Sequence, residues 1–384
     1  MHHPLLTPDH ETFRQTARRF IEKEITPFAE EWDEAGWFPS EIFQKLGSQG
    51  FLGAHYPEKF GGSGLDFSYS LVLGEELGKA GLAGLSMAVA VHVGMASPPI
   101  YKFGSDYLKE RYLPHVCAGT KIACLGISEP DAGSDVNGIR TFARKDGDDY
   151  VINGTKMWIT NGVRSDFVLL VARTEQTDSH KGLTLFVVDK DSPGFTVSKQ
   201  IKKVGMKCSD TAELVFDNVR VPKTHVVGEV GKGFYQIMWE LQSERIIAAA
   251  TSVGRMEKCF EYAIRYVKER KAFGRQVIDY QVTRHKLADM ATKIETLKNF
   301  TYNVAQAWIK GEYPVKEISM IKLLCGTWGF EVADMALQMH GGNGYTMEYP
   351  IQRYWRDSRL TRIGGGTDEI MHEIISREIL KEWE

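Results

Sequence analysis

The spacing of apolar residues divides the chain into three parts. In the first third, apolar positions such as Phe13, Ala17 and Ile21 recur four apart, which is typical of a helix with one buried face. Thr7 followed by Pro8 predicts the start of that helix, because threonine caps helices and proline suits the first helical position. The N-terminal part is therefore predicted to be helical.

The middle of the chain changes to short apolar runs rich in β-branched residues, a pattern typical of strands. Strands are predicted at 167–171, 183–188 and 213–216. Asn153 and Gly154 predict a hairpin turn within 150–159, since this dipeptide favours tight turns. Long helical stretches do not separate the runs, which disfavours a parallel βαβ sheet and favours a compact β-barrel or sandwich.

The helical spacing returns after about Gly233, where apolar residues from Ile246 to Val267 lie along one long helix. The pattern therefore predicts an α+β fold that is mostly α, with a helical domain, a central β domain and a second helical domain. The predicted boundaries are 1–120, 121–230 and 231–384.

Composition narrows the class of protein. The chain of 384 residues is 43% hydrophobic and 25% charged, as is ordinary for globular proteins. Its net charge of −3 argues against nucleic-acid binding, which favours a basic excess. A signal peptide is not visible, and the apolar stretch 84–98 is shorter than the ~20 residues that span a bilayer. We expect a soluble cytoplasmic protein, or a mitochondrial matrix protein if the chain is a mature eukaryotic one.

The usual catalytic signatures are missing from the sequence. It contains no GxGxxG, GxxxxGK[ST], HExxH or GxSxG motif, so nicotinamide Rossmann enzymes, P-loop enzymes, metalloproteases and common hydrolases have no support. Its five cysteines include no CxxC pair, and its histidines are scattered. We therefore expect neither a disulfide framework nor a metal site.

Four polar, glycine-rich segments stand out against the packing pattern. They are GISEPDAGSDV at 126–136, WITN at 158–161, QMHGGNGY at 338–345 followed by Arg356 and Asp357, and IGGGTDEI at 363–370. Consecutive glycines let a backbone approach a ligand closely, and their N–H groups can face a phosphate or an anionic oxygen. A turn explains one such segment, but four in one chain favour a ligand-binding role.

Together with ERKAFGRQV at 269–277 and Gln281, these segments resemble the motifs of the acyl-CoA dehydrogenase family, in the family order and over essentially the whole chain. The resemblance implies an N-terminal helical domain, a central β domain and a C-terminal four-helix bundle. It also implies an FAD enzyme that oxidises an acyl-CoA thioester to a trans-2-enoyl-CoA and passes the electrons to an electron-transferring flavoprotein. Most members are homotetramers, so the same assembly is expected here.

The resemblance also implies a cofactor and a substrate site. Ser128, with the backbone after Leu125, resembles the segment against the flavin, and Trp158 and Thr160, with Ile159 between them, resemble the residues beside flavin N5. The other implied cofactor positions, some of them facing a neighbouring subunit, are Ser134, Arg270, Phe273, Gln281, Gln338, Gly341, Gly342, Thr367 and Glu369. The implied substrate positions are Ser134, Arg245, Gly365 and Gly366.

The catalytic base is where this sequence differs from the commoner family pattern. Medium- and short-chain members carry Glu in a Tyr-Glu-Gly-Thr motif, and Gly365 takes that position here. Isovaleryl and long-chain members instead carry Glu on the long helix directly before an Arg, and this chain has Glu244 before Arg245. We therefore expect Glu244 to remove the α-proton while a β-hydride passes to flavin N5, with Glu240 as the weaker candidate.

The position of the base does not identify the acyl group of the substrate. Gly364 replaces the aromatic residue of the commoner motif, so with Gly365 it predicts room for a branched, medium or long acyl chain. Gly365 keeps the N–H that the resemblance implies as a donor to the thioester carbonyl. An apolar surrounding should also raise the pKa of Glu244.

Three other functions share this fold. Acyl-CoA oxidases hand electrons to oxygen, but their chains are usually much longer than 384 residues. Nitroalkane oxidases and flavin monooxygenases are disfavoured by the Glu244–Arg245 pair. A catalytically weak, DNA-binding relative would need a basic C-terminal face, which the net charge of −3 does not support.

Overall fold

The computed structural model describes residues 3–175, 177 and 180–383. The N-terminal helices are α1 Pro8–Glu24, α2 Ala29–Ala35, α3 Glu41–Ser48, α4 Ser68–Lys79, α5 Ala83–Ala90, α6 Ser97–Phe103 and α7 Asp106–Ala118. The predicted start of α1 is confirmed, because Thr7 is its N-cap and the Thr7 N–H donates to His10 Nδ1 at 3.1 Å.

Between α5 and α6, the segment Val91–Ala96 is a π-helix, so helical structure runs without a break over Ala83–Phe103. This stretch has 21 residues, and the prediction that it is too short to cross a bilayer is therefore wrong on length. Its apolar window is 83% buried inside the protein, which is the burial of a core helix.

The middle strands form one sheet. They are β1 Ala123–Gly126, β2 Phe142–Asp146, β3 Asp149–Thr160, β4 Phe167–Arg173, β5 Leu183–Asp189, β6 Phe195–Gln200, β7 Thr211–Pro222 and β8 Val226–Val227. In the described part of the chain their order is β6-β7-β3-β2-β4-β5-β8, with β1 parallel to β4 and most other pairs antiparallel. The three strands predicted from the sequence lie within β4, β5 and β7, as expected.

The hairpin predicted at Asn153 and Gly154 is wrong, because β3 runs straight through both residues. The turn lies instead at 146–149, where Asp146 of β2 pairs with Asp149 of β3 and Gly147 has φ +62°. Gly154 has a packing role instead of a turn-forming one. A Cβ there would lie 2.4 Å from Thr141 Oγ1, so the glycine permits a close approach of two chain segments.

The C-terminal part is helical again. Its elements are α8 Gly233–Glu269, the short strands β9 Lys271–Ala272 and β10 Arg275–Gln276, then α9 Gln281–Ile309, α10 Val315–His340, α11 Ile351–Ser358 and α12 Asp368–Glu382. The predicted long helix is confirmed as α8, which has 37 residues. Helices α8, α9, α10 and α12 pack together as the bundle.

The sheet separates two of the hydrophobic cores. Along β4, alternate side chains face opposite sides, as the twofold repeat of a strand requires. Phe167 and Leu169 pack with the N-terminal helices, whereas Val168 and Leu170 pack with the side chains of β3, β5 and β7. A third core joins the C-terminal helices to Leu71 of α4. Burial on both faces explains why β4 is apolar from Phe167 to Ala172.

The motif Arg356–Asp357 connects these parts of the molecule. Arg356 donates to Asp33 of α2, and Asp357 Oδ1 accepts the Met206 N–H at 2.6 Å. All these groups are buried, so α11 is anchored to the N-terminal helices and to the loop before β7. The motif therefore has a structural role in this chain.

Gly154→Ala should destabilise the protein by about 2–3 kcal/mol, because the new methyl group would overlap Thr141. Gly147→Ala is the matched control. Its backbone is also left-handed, but nothing lies within 4 Å of the new Cβ, so only strain of about 1 kcal/mol is expected. Urea unfolding measures both. Equal losses in the two variants would contradict the close approach.

Candidate active site

Glu244 lies on α8 where that helix passes the glycine loop 363–367 before α12. A Cβ built on Gly365 would lie 2.9 Å from Glu244 Oε1, closer than two such atoms can approach. Gly365 has φ +68° and Gly366 has φ +100°, conformations that favour glycine. The two chain positions expected from the sequence to carry a base therefore meet at one point, and the carboxylate comes from α8.

Two buried cations bond the same loop. Arg245 Nε donates to the Gly365 carbonyl at 3.1 Å, and the Lys322 ammonium group of α10 donates to the Gly366 carbonyl. Arg245 is 4% exposed and Lys322 is 1% exposed. Sequence reasoning missed Lys322, although it stands within the apolar stripe of α10 formed by Ile318, Ile321 and Cys325. A charged residue at such a position was the available signal.

The burial of Glu244 raises its pKa above the usual carboxyl range, although Arg245 and Lys322 oppose this. The side chain keeps partial solvent access, so it is both desolvated and reachable. Glu240, one turn earlier, is 0% exposed, and neither of its carboxyl oxygens has a hydrogen-bond partner among the described residues. Burial, and then Glu244, raise the pKa of Glu240 well above its usual range. Glu240 is fully buried, whereas Glu244 keeps partial solvent access, so Glu240 is the less accessible of the two carboxyl groups.

A buried ion pair links the segment 126–136 to β3. Lys156 Nζ donates to the Ile127 carbonyl and to Glu129 Oε1, both at 2.8 Å. Glu129 also accepts the N–H groups of Arg140 and Thr141 at 2.7 and 2.9 Å. Burial lowers the pKa of Lys156 to about 8, while the pKa of Glu129 is lowered by Lys156 against the opposing effect of burial. The loop 126–136 is thereby held against β3.

The end of β3 is distorted beside that loop. The pairing of β3 with β7 shifts between Lys156 and Ile159, as in a β-bulge, and Trp158 has φ +61°. Trp158 is 56% exposed, and the neighbouring Met157 N–H donates to the Ser128 carbonyl at 2.9 Å. Strained backbone that presents an exposed aromatic side chain is common at binding sites.

The remaining predicted residues divide by exposure. Leu125, Ser128, Thr160, Gly365, Gly366 and Thr367 are partly buried, and Ile159 is buried. Ser134, Arg270, Phe273, Gln281, Gln338, Gly341, Gly342 and Glu369 are exposed in the single chain. Phe273 is 97% exposed and has φ +51°, while the positions of a Cβ on Gly341 and on Gly342 have no atom within 4 Å. These residues are available to a ligand or to another chain.

Thr367 and Glu369 also organise the start of α12. The Thr367 side chain accepts the Ile370 N–H at 3.3 Å as an N-cap. The backbone N–H of Glu369 and the Thr367 hydroxyl lower the pKa of Glu369, so this exposed carboxylate is ionised near the positive end of the helix.

Two clefts lie outside this region. One of about 300 Å³ is lined by His10, Arg14 and Tyr302 among others, and one of about 650 Å³ is lined by residues that include Glu257 and Arg353. Neither cleft includes any of the residues around Glu244. Among residues 3–175, 177 and 180–383, no group of three or more His, Cys, Asp or Glu side chains is arranged to hold a metal ion.

Three family models match successive parts of the chain. They are described as the N-terminal, middle and C-terminal domains of acyl-CoA dehydrogenase and match residues 7–120, 124–219 and 231–380. The chain belongs to the acyl-CoA dehydrogenase family. This acyl-CoA dehydrogenase is an enzyme of the flavin-dependent oxidoreductase class, and the fold expected from the sequence is confirmed.

Relatives of similar length support the assignment. A probable acyl-CoA dehydrogenase of Bacillus subtilis is 39% identical over 98% of this chain and 99% of its own. The mitochondrial long-chain specific acyl-CoA dehydrogenase of Rattus norvegicus is 38% identical over 98% and 88%. The mitochondrial isovaleryl-CoA dehydrogenase of Solanum tuberosum is 37% identical over 96% and 90%.

Solved structures agree in fold. An acyl-CoA dehydrogenase from Geobacillus kaustophilus has a TM-score of 0.94 and 39% identity over 97% of this chain and 98% of its own. The prolyl acyl carrier protein oxidase AnaB has a TM-score of 0.94 and 31% identity, with 97% of this chain and 99% of its own covered. This oxidase of the same fold has a chain of about this length, so length alone does not separate a dehydrogenase from every oxidase of the fold.

Glu129→Gln should lower the free energy of unfolding by about 3 kcal/mol at pH 7, because buried Lys156 would lose its counterion. The pKa of Glu129 is lowered in the fold, so its contribution is present above its ordinary pKa of about 4.3 and is lost as the pH falls. The difference in the free energy of unfolding between Glu129→Gln and wild type should therefore become smaller at acidic pH. Unfolding curves from pH 3 to 8 measure it.

Asp148→Asn is the control, since Asp148 and Lys223 form an exposed pair on the same sheet. It should leave stability and its pH dependence unchanged. A wild-type unfolding curve for Glu129→Gln at pH 7 would contradict the role of the buried pair.

Proposed function

We propose that this chain is an FAD-dependent acyl-CoA dehydrogenase in which Glu244 removes the α-proton of an acyl-CoA thioester, giving a trans-2-enoyl-CoA. The observation that carries the proposal is the 2.9 Å between Glu244 Oε1 and the Cβ position of Gly365. The carboxylate of α8 thus occupies the place where the commoner sequence motif would put its own. The raised pKa of Glu244 brings it nearer to working pH, which suits a general base.

The α-proton of a thioester is a very weak acid, so the carbonyl oxygen must be stabilised as negative charge develops. Gly365 keeps its backbone N–H and is proposed as one donor to that oxygen. Gly365 has φ +68°, and Arg245 holds the peptide that follows this N–H through the Gly365 carbonyl. The loop thus loses its carboxylate but retains a donor beside the base.

We propose that the surface around the β3 bulge receives the planar ring of the cofactor, because Trp158 is exposed there on strained backbone and the Ser128 segment is held beside it. Gly341 and Gly342, which follow α10 in the C-terminal part, leave the space above their own backbone open. When bound, FAD supplies the acceptor for the hydride that leaves the β-carbon. We propose that Leu125, Ser128, Trp158, Ile159 and Thr160 hold its ring and that Thr367 and Glu369 make further contacts.

The exposed motif residues support an assembly of several copies. Arg270, Phe273, Gln281 and Gln338 are presented to the surface although they belong to family motifs. We propose a homotetramer in which these side chains reach the cofactor of another subunit. We also propose that Ser134 and Arg245 hold the CoA part of the substrate. An electron-transferring flavoprotein is the proposed electron acceptor, and the cytoplasm or the mitochondrial matrix the proposed location.

A branched, medium or long acyl group is the proposed substrate. A Cβ on Gly364 would have only the Leu360 carbonyl within 4 Å, at 3.9 Å, so the loop leaves space there. Relatives named for long-chain and isovaleryl substrates support the same range. A sharp preference for butyryl-CoA, without activity on branched or longer thioesters, would contradict this part of the proposal.

Glu244→Gln should lower the rate of anaerobic flavin bleaching by about 10⁴-fold with every thioester, because the amide cannot accept the α-proton. Glu261→Gln, an exposed position on the same helix, is the matched control and should react like wild type. Stopped-flow mixing with butyryl-, palmitoyl-, isobutyryl- and isovaleryl-CoA measures both and ranks the substrates. Bleaching of Glu244→Gln at the wild-type rate would refute the base. Rapid oxygen uptake during turnover would favour an oxidase.

Moving the carboxylate should restore part of the activity. A side chain at 365 would displace the Glu244 carboxylate, and two carboxyl groups would then compete for one place, so Gly365→Glu alone should be less active or less stable than wild type. Combined with Glu244→Gly it should recover about tenfold or more over Glu244→Gly alone, although φ +68° strains a non-glycine residue. Flavin reduction by isovaleryl-CoA and octanoyl-CoA measures the recovery. A double variant no faster than Glu244→Gly would contradict the shared position.

A further inference from the structure

We propose that Lys322 is a positioning residue, which fixes the glycine loop beside the thioester carbonyl and places a positive charge next to the catalytic base. The proposal rests on the proposed function for its catalytic consequence, but its structural part stands on the contacts of Lys322 alone.

The surroundings of Lys322 are unusual for a lysine. The side chain is 1% exposed within the apolar face of α10, where an ammonium group costs free energy unless it is compensated. Its hydrogen-bond acceptor is the carbonyl of Gly366, 44 residues along the chain. Within the described residues no carboxylate lies inside 4.0 Å of its Nζ, so an ion pair does not provide the compensation. The compensation comes from the loop.

The loop needs such an anchor because it consists of three successive glycines. Glycine has the largest conformational freedom of any residue, and Gly365 and Gly366 both adopt φ values that only glycine takes readily. Arg245 from α8 and Lys322 from α10 bond two consecutive carbonyls from two different helices. Fixing both carbonyls fixes the peptide planes on either side of Gly366, and the N–H of Gly365 lies on the next plane towards the N-terminus.

The charge of Lys322 also acts on the carboxyl group of Glu244. Its Cε would lie 3.8 Å from a Cβ on Gly365, and Glu244 Oε1 would lie 2.9 Å from that same position. Lys322 and Arg245 both favour the ionised form of Glu244. Besides these three, the titratable groups that face the site are Glu240 on α8, Tyr313 before α10, Cys325 on α10, and Asp368 on α12, which is paired with Arg362. Arg245 and Lys322 are the cations that favour ionised Glu244, so removal of Lys322 should change the pKa of Glu244 most directly after removal of Arg245.

The test compares Lys322→Met, which keeps the length and loses the charge, with Lys316→Met on the exposed side of α10, where Lys316 pairs with Glu382. Hydrogen–deuterium exchange of the backbone amides at 363–367 should be at least tenfold faster in Lys322→Met and unchanged in Lys316→Met. This measurement needs no turnover. Exchange at the wild-type rate in Lys322→Met would overturn the anchoring role.

The catalytic part has its own readout. In Lys322→Met the kcat should fall about tenfold or more with little change in KM. The rising limb of the kcat–pH profile should also move to higher pH, because the loss of a nearby cation raises the pKa of Glu244. A merely structural lysine would lower flavin content without moving that limb, and an unmoved limb would overturn the electrostatic role.

If Lys322→Met does not fold, Lys322→Arg replaces it and should keep the wild-type position of the rising limb. If wild type reduces no thioester, the proposed function fails while the exchange result still decides the anchoring role.

Discussion

The site depends on how closely α8 approaches the loop before α12. With 2.9 Å between Glu244 Oε1 and the Cβ position of Gly365, the space between these two elements admits one carboxylate. A side chain on the loop at 365 would push the Glu244 carboxylate away from its present position, so glycine there suits a chain that carries its acid on α8. Under the proposed function, the base can then come from either of two distant sequence positions and still reach the same place.

Because the loop carries no side chains at 364–366, residues elsewhere in the site have to hold its conformation. A run of glycines specifies little by itself, so Arg245 and Lys322 hold its carbonyls from two helices. The same burial raises the pKa of both Glu244 and Glu240. Burying four ionisable groups in one region is unfavourable for stability, as is usual where a site is organised for chemistry.

Local and periodic features were predictable from the sequence. The Thr7 cap and the long helix α8 were predicted because each depends on residues near in sequence. Side-chain chemistry excluded Gly365 as a base, whereas Glu244 was chosen by the resemblance to isovaleryl and long-chain members and stays a prediction. The predicted hairpin at Asn153 failed because the conformation of Gly154 is set by the approach of Thr141, a tertiary contact that no local pattern contains.

Long-range partners could not be predicted. Lys322 bonds a backbone carbonyl 44 residues away, and a carbonyl has no signature in the sequence. The π-helical segment Val91–Ala96 has no periodicity that separates it from the α-helices on either side. In both cases the missing information is the position of a second element, which packing decides.

The most direct measurement is the exchange of α-protons in D₂O, followed by NMR, on a 3-thia-acyl-CoA. This analogue has α-protons but no β-hydrogen to transfer, so it isolates the proton step from oxidation. Wild-type enzyme should exchange these protons, and Glu244→Gln should leave them in place over the same time while still binding the thioester. Exchange by Glu244→Gln at the wild-type rate would show that another group takes the proton and would contradict the account.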